Sequence, residues 1–443
     1  MAPQGDAQTS NFTAVSQSFG KYVGPSACAA TSCHGSVKPV PKSRILQNEY
    51  STWVLSDKHS HAYQELTTDV GEHIAKILYK TKAEDSPKCL GCHALAPRPE
   101  QRARPFEATE GVTCENCHGP AADWLDQHTA RESPGKHLQS VNYLHMVDTR
   151  NIISRAGKCV ECHVGDASKS VNHEMIALGH PDLYFELDSF SELMSPHWHL
   201  PRLSAEGKPA EDSSWEGVRN WGTGQAVQLR AAMDLLAWRA RGERTNNSDD
   251  WPEFSELSCI ACHHDLIGPV DNWRQEHGYA GHRPGDPTWR GSSYIVLRLV
   301  AREVDPVIAQ ELELKLSALS KELRNLNSNR DGTANIAATV APAAQKLAEH
   351  LASASYERGE VLRIMQSICE DSEEISFDDE RAAAQATMAL NALYIAYQKE
   401  ARPPNANEVQ TAIRRLFQQL ENRSAYNAGL FAKELHRIRQ LLR

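Results

Sequence analysis

The spacing of apolar positions changes near residue 290. Beyond it, Leu312, Leu316, Leu319 and Leu323 recur at helical intervals, as do Ala386, Leu390, Leu393 and Tyr397. Val409, Ile413, Leu416 and Leu420 repeat the pattern, and so do Phe431, Leu435, Ile438 and Leu442. Each set lines one stripe of an amphipathic helix. Asn327 to Asn335 and the Pro403-Pro404 pair read as breaks between helices. This predicts an antiparallel helical bundle over 291–443, an extended helical arm for docking a partner being the rival reading.

Before residue 290 regular periodicity is scarce. Gly224 to Gly242 reads as one helix, with Ala226, Leu229, Met233 and Leu236 near helical spacing. Asn48 to Leu66 reads as a second, anchored by Trp53 and Leu66. Residues 1–20 are polar and read as a flexible lead-in. Lys38 to Lys42 is a Pro-rich loop, Gly207 to Ser214 a polar loop, and Asp271 to Trp289 an ordered loop rich in Gly, Pro and Trp. The expected fold is mainly α with little regular sheet, in three parts: 1–20, 21–290 and 291–443.

The short stretch between His93 and Cys114 holds Pro97, Pro99 and Pro105 and too few apolar residues for an ordinary core. The cysteines suggest what fills the gap. Cys89-Leu90-Gly91-Cys92-His93, Cys114-Glu115-Asn116-Cys117-His118, Cys159-Val160-Glu161-Cys162-His163 and Cys259-Ile260-Ala261-Cys262-His263 share the C-x-x-C-H pattern of covalent c-type haem attachment. Cys28, Cys33 and His34 form a fifth set with four residues between the thiols. Two thiols bond one porphyrin as thioethers, and the adjacent His reaches its iron. Ten of the 11 cysteines are used in this way, leaving Cys369 as a buried small hydrophobe. The rival readings are zinc, because Cys89, Cys92, Cys114 and Cys117 nearly match a zinc-ribbon spacing, and for the first set a disulfide. Zinc does not require a His after every second Cys, and here that His is present every time.

Five haems, two propionates each, would add to a formal net charge of −10. That disfavours nucleic acid, whose phosphates are bound by clustered Lys and Arg. No window approaches the apolar length of a membrane span. Covalent haem is attached outside the cytoplasm, so the chain is expected to be periplasmic or extracellular, with a signal peptide already removed before Met1.

His34, His93, His118, His163 and His263 are then the proximal iron ligands. Fifteen other histidines remain for the opposite faces. His128 follows the third motif closely, and His59 lies on the predicted helix after the first, beside His61. His173 and His180 frame a short apolar run. His197 competes with His199. His264, His277 and His282 lie near the fifth motif; His73, His137 and His145 stay open; His350 and His436 sit in the haem-free part. Met146, Met175 and Met194 could also ligate iron. The distal candidates are His59, His128, His173, His180 and His197.

GVTCENCHGPAADWLDQH around the third motif resembles a segment of the cytochrome c-554 superfamily, and EYSTWVLSDKHSHAYQEL is similar to that family's Trp-containing helix after its first haem. The resemblance covers roughly residues 21–200, with an extension to about 290. It implies closely stacked haem pairs, mostly bis-His ligated, with distal roles for His59 and His128. It also allows one five-coordinate iron, which it does not identify. The fifth haem, the wider first motif and the helical C-terminal region depart from the family.

The leading expectation is an electron carrier: a multihaem cytochrome c domain holding five c-type haems, followed by a helical bundle, working between redox protein partners. One alternative is a haem-based oxidoreductase acting on a small nitrogen or sulfur compound at a five-coordinate haem. Against it, no motif has the Lys that pentahaem nitrite reductases carry in place of the motif His, and no acid–base constellation is recognisable. The other alternative is a haem-bearing subunit of a larger respiratory complex, with the C-terminal helices docking a partner or self-associating.

Overall fold

The computed structural model describes residues 20–40, 45–128, 134–198, 215–242, 251–259, 262–263, 287, 289–324, 328–422 and 425–443. Among these the architecture is α-helical, with no strand. Two isolated bridges, Tyr22 to Arg102 and Leu257 to Trp289, are the sheet-like pairings of the described residues. The predicted Gly207 to Ser214 loop, most of the Asp271 to Trp289 loop, and His199, His264, His277 and His282 lie outside the described residues.

The first part is built from short helices: α1 (Glu49–Ser56), α2 (Asp69–Tyr79), α3 (Pro87–His93), α4 (Cys114–His118), α5 (Pro134–Tyr143), α6 (Ile152–His163), α7 (His173–Ala177) and α8 (Leu187–Leu193). The helix expected over Asn48 to Leu66 is interrupted. After α1 the chain is extended at Asp57 and continues as a 3₁₀ helix, Lys58–Thr67. The cause is local: the buried Asp57 carboxylate accepts from the His59 backbone N–H at 3.0 Å, capping a new helix instead of letting the old one run on. Each attachment motif described in full with two intervening residues ends a helix (α3, α4, α6), so the two thiols and the His come off one or two turns.

Then come α9 (Glu216–Arg241), α10 (Ser292–Ile295), α11 (Leu297–Val304), α12 (Pro306–Leu323), α13 (Arg330–Ser353), α14 (Arg358–Glu370), α15 (Ser372–Asp378), α16 (Glu380–Ala401), α17 (Ala406–Leu420) and α18 (Ala428–Leu441). The break at Pro403-Pro404 separates α16 from α17. The other expected break is shorter than Asn327 to Asn335, because the Asn329 side chain caps α13 and lets the helix start at Arg330. The helix expected from Gly224 begins at Glu216, and its first turns bury Val218 and Trp221.

α9 makes its most extensive contact with α13. The close approach follows from small side chains: Ala334, Ala337, Ala341, Ala344 and Ala348 are buried along α13. Gly224 allows α8 to pack on α9, since a Cβ there would lie 2.5 Å from Leu187 Cβ. One apolar core runs from Ala156 and Val160 on α6, through Trp221, Leu229 and Met233, to Leu435 and Ile438 on α18. It crosses residue 290 without interruption. Cys369 is fully buried in it, its thiol pushed up to about 12 by burial.

Candidate functional site

The first four attachment motifs come together by packing of the short helices. Glu115, inside the third motif and 2% exposed, accepts backbone N–H groups from Val23 (3.0 Å), Gly24 (2.7 Å) and Ala121 (2.7 Å). This pins the segment before the first motif onto α4. Gly111, at φ 75, passes over the His59 turn, where a Cβ would sit 2.7 Å from the His59 carbonyl oxygen. Trp53 Nε1–H donates to the Val112 carbonyl at 3.0 Å, fixing α1 to the same strip of chain.

The thiols of Cys28 and Cys114 lie within hydrogen-bonding reach, and so do those of Cys92 and Cys162. Desolvation pushes the Cys117 thiol up to about 12, and the neighbouring Cys159 thiol adds to the rise. No described cysteine is in a disulfide, and Cys28 and Cys33 are both free. Cys259 faces a cluster in which Arg290 and Arg381 both pair with Asp182, two residues after His180.

Four motif histidines face a second imidazole. The ring centroids of His34 and His128 are 6.2 Å apart with planes at 5°. Those of His93 and His180 are 6.3 Å apart at 88°, and of His163 and His59 6.4 Å apart at 89°. His263 and His173 are 6.2 Å apart at 30°. Two imidazoles on opposite faces of one iron, each nitrogen about 2 Å from the metal, would put the centroids about 6 Å apart. Among the described residues His118 has no ring partner at this spacing. It is half-buried, and desolvation lowers it to about 4, with His197 the first of the imidazoles acting on it.

Six of these rings are held by Nδ1: His34 by Glu49 (2.9 Å), His59 by Asp57 (2.9 Å), His93 by the Ala62 carbonyl (2.8 Å), His128 by the Leu125 carbonyl (2.6 Å), His180 by the Pro181 carbonyl (2.7 Å) and His197 by the Ser195 carbonyl (3.3 Å). Tying Nδ1 leaves the Nε2 lone pair for a metal and fixes the ring plane. Burial also holds His163 near about 4, and pushes His128, His180 and His197 down. Neutral imidazole is the ligating form. The hydrogen bonds to Glu49 and Asp57 pull His34 and His59 the other way.

Other candidates are engaged elsewhere or exposed. His61, His73 and His145 are exposed, and His137 bonds Arg150 through Nδ1. His350 pairs with Asp305 and His436 with Ser372. Met175 Sδ accepts from Tyr79 Oη–H at 3.4 Å. Met146 packs beside Trp124, and Met194 ends α8. Sequence reasoning missed Glu49 and Asp57. Their positions, at the first residue of α1 and immediately after its last, were the available signal.

A site built from protein donors alone needs about four ligands, whereas a porphyrin supplies four nitrogens itself and needs two. Among the described residues no three His, Cys, Asp or Glu side chains converge as a metal-binding group. The paired rings beside paired thiols therefore fit haem c. No helix of the described residues is long and apolar enough to cross a membrane.

No curated protein and no solved structure matches the chain. Residues 27–119, which hold the first three motifs together with His59, match the family described as Cytochrome c554 and c-prime. That match supports a c-type multihaem cytochrome that transfers electrons through haem c.

Proposed function

We propose that the chain carries five covalent haems and relays electrons between redox proteins outside the cytoplasm. Bound haem c would supply one-electron carriers. The protein's residues would do the rest. Cys28 and Cys33, Cys89 and Cys92, Cys114 and Cys117, Cys159 and Cys162, and Cys259 and Cys262 would anchor them. His34, His93, His118, His163 and His263 would ligate from one face. His128, His180, His197, His59 and His173 would ligate from the other, in that order.

The observation carrying the reading is the set of four facing imidazole pairs, each joining a motif histidine to one far away in sequence. Fixed ligands on both faces suit conduction, because coordination need not change as an electron passes. The thiol neighbours support an order of first, third, fourth and second sites, and the Asp182 cluster supports a fifth beside the second. A second reading, small-molecule chemistry at one iron, draws on His118 alone, whose ring lacks a partner at the common spacing.

Intact mass and pyridine haemochrome assay of the mature protein should give five haems. His180→Ala should keep that count and convert one haem from low to high spin. His61→Ala should leave the spectrum unchanged. A haem count of four, with Cys28 bonded to Cys33, would remove the first site. A parent spectrum in His180→Ala would break the ligand assignment.

A further inference from the structure

The ring supports differ in charge, and this gives the proposed wire a direction; the inference rests on the haem reading above. Four of the six Nδ1 partners are neutral carbonyls. Two are carboxylates, one at each end of α1. Glu49, its first residue, takes His34 with one oxygen and accepts the Gln47 backbone N–H at 3.1 Å with the other. Asp57, directly after the helix and 4% exposed, takes both the ring and the backbone N–H of His59 through Oδ1.

An anion accepting the Nδ1–H of a metal-bound imidazole makes the ring a stronger donor and favours the more positive iron. A neutral carbonyl does so less. The His93–His180 pair rests on carbonyls at both rings, those of Ala62 and Pro181. We propose that Asp57 and Glu49 are positioning residues that hold the irons of the His59–His163 and His34–His128 pairs at lower potential than the iron of the His93–His180 pair. Cys162 and Cys92 make the fourth and second sites neighbours, so an electron on the fourth runs downhill to the second. The step moves one electron and no proton: Nδ1–H stays on His59 throughout.

The test is spectroelectrochemical titration of the holoprotein and its Asp57→Asn, Glu49→Gln and Glu107→Gln variants, with haem count and spin state read in parallel. Each amide keeps an oxygen for its ring and removes the charge; Glu49→Gln also turns an NH₂ toward the Gln47 N–H, a loss that haem count and spin state report. At fixed applied potential, Asp57→Asn should raise the reduced-to-oxidised ratio of one haem on the order of tenfold, ~59 mV for a one-electron couple. Glu49→Gln should move a different haem in the same direction. Glu107 is exposed, so its variant controls for loss of one surface charge. Correct haem counts and low spin with unmoved potentials would overturn the inference and leave the haem reading intact. So would an equal shift in Glu107→Gln. A parent protein without covalent haem would instead sink the haem reading. If Asp57→Asn fails to assemble, Glu49→Gln alone decides.

Discussion

Removing the Glu115 carboxylate is the sharpest test of how the first and third motifs are held together. Three buried backbone donors, those of Val23, Gly24 and Ala121, converge on this one group. Glu115→Ala leaves all three unpaired, at about 1–3 kcal/mol each if they stay buried. The loss is capped, because the segment at Val23 and Gly24 can peel off and meet water instead. About 3 kcal/mol is therefore expected, paid mainly as local opening. Glu115→Gln keeps one carbonyl oxygen, which can satisfy two donors, but turns an NH₂ toward the third; about 1–2 kcal/mol should go. Urea denaturation followed by circular dichroism gives the global change, and limited proteolysis with mass spectrometry reports release of the chain ahead of Cys28. Cleavage should be fastest in Glu115→Ala, intermediate in Glu115→Gln and unchanged in Glu107→Ala. If Glu115→Ala matches Glu107→Ala in both assays, the carboxylate does not hold the two motifs together.

Two further outcomes follow from the fold. A fragment of residues 215–443 should be helical and fold cooperatively, whereas 291–443, lacking the buried Trp221, Leu229 and Met233 of α9, should lose cooperativity or aggregate; equal melting of the two would show that the later helices suffice alone. Burial and then Glu186 push Asp188 up to about 7, against an unfolded value of about 4. A raised carboxyl contributes stability that is present below the unfolded value and lost as pH rises through the folded one. From pH 4 to pH 8 the parent should therefore lose up to about 4 kcal/mol relative to Asp188→Asn. A difference between their urea midpoints that does not vary with pH would refute this.

The parts of the site legible in the sequence were those encoded locally. A thiol pair with its following His is one helical turn of chemistry, so Cys89 to His93 or Cys159 to His163 can be read without a fold. The apolar stripe of Leu312 to Leu323 is likewise its own evidence. His59, His128, His173 and His180 were singled out by position, and these are the rings that stand opposite motif histidines. Which faces which could not be read, because each partner lies far off in the chain. His59 follows the first motif but faces the histidine of the fourth. The early start of α9 was hidden for a different reason. Gly217, Gly222 and Gly224 look like breakers locally, and only the packing of Leu187 against Gly224 gives one of them its purpose. The continuity of the core across residue 290 was hidden with it.

The crossing of the imidazole pairs has a topological consequence. His34–His128, His59–His163, His93–His180 and His173–His263 each close a loop of roughly 90 to 100 residues. The loops overlap: each begins before its predecessor ends. With iron bridging each pair, they would interlock as links of a chain, and no stretch between His34 and His263 could swing free without parting at least one metal bond. Any one closure could part alone, yet the overlapping ones would still hold the stretch, so its full release would require several metal bonds to go.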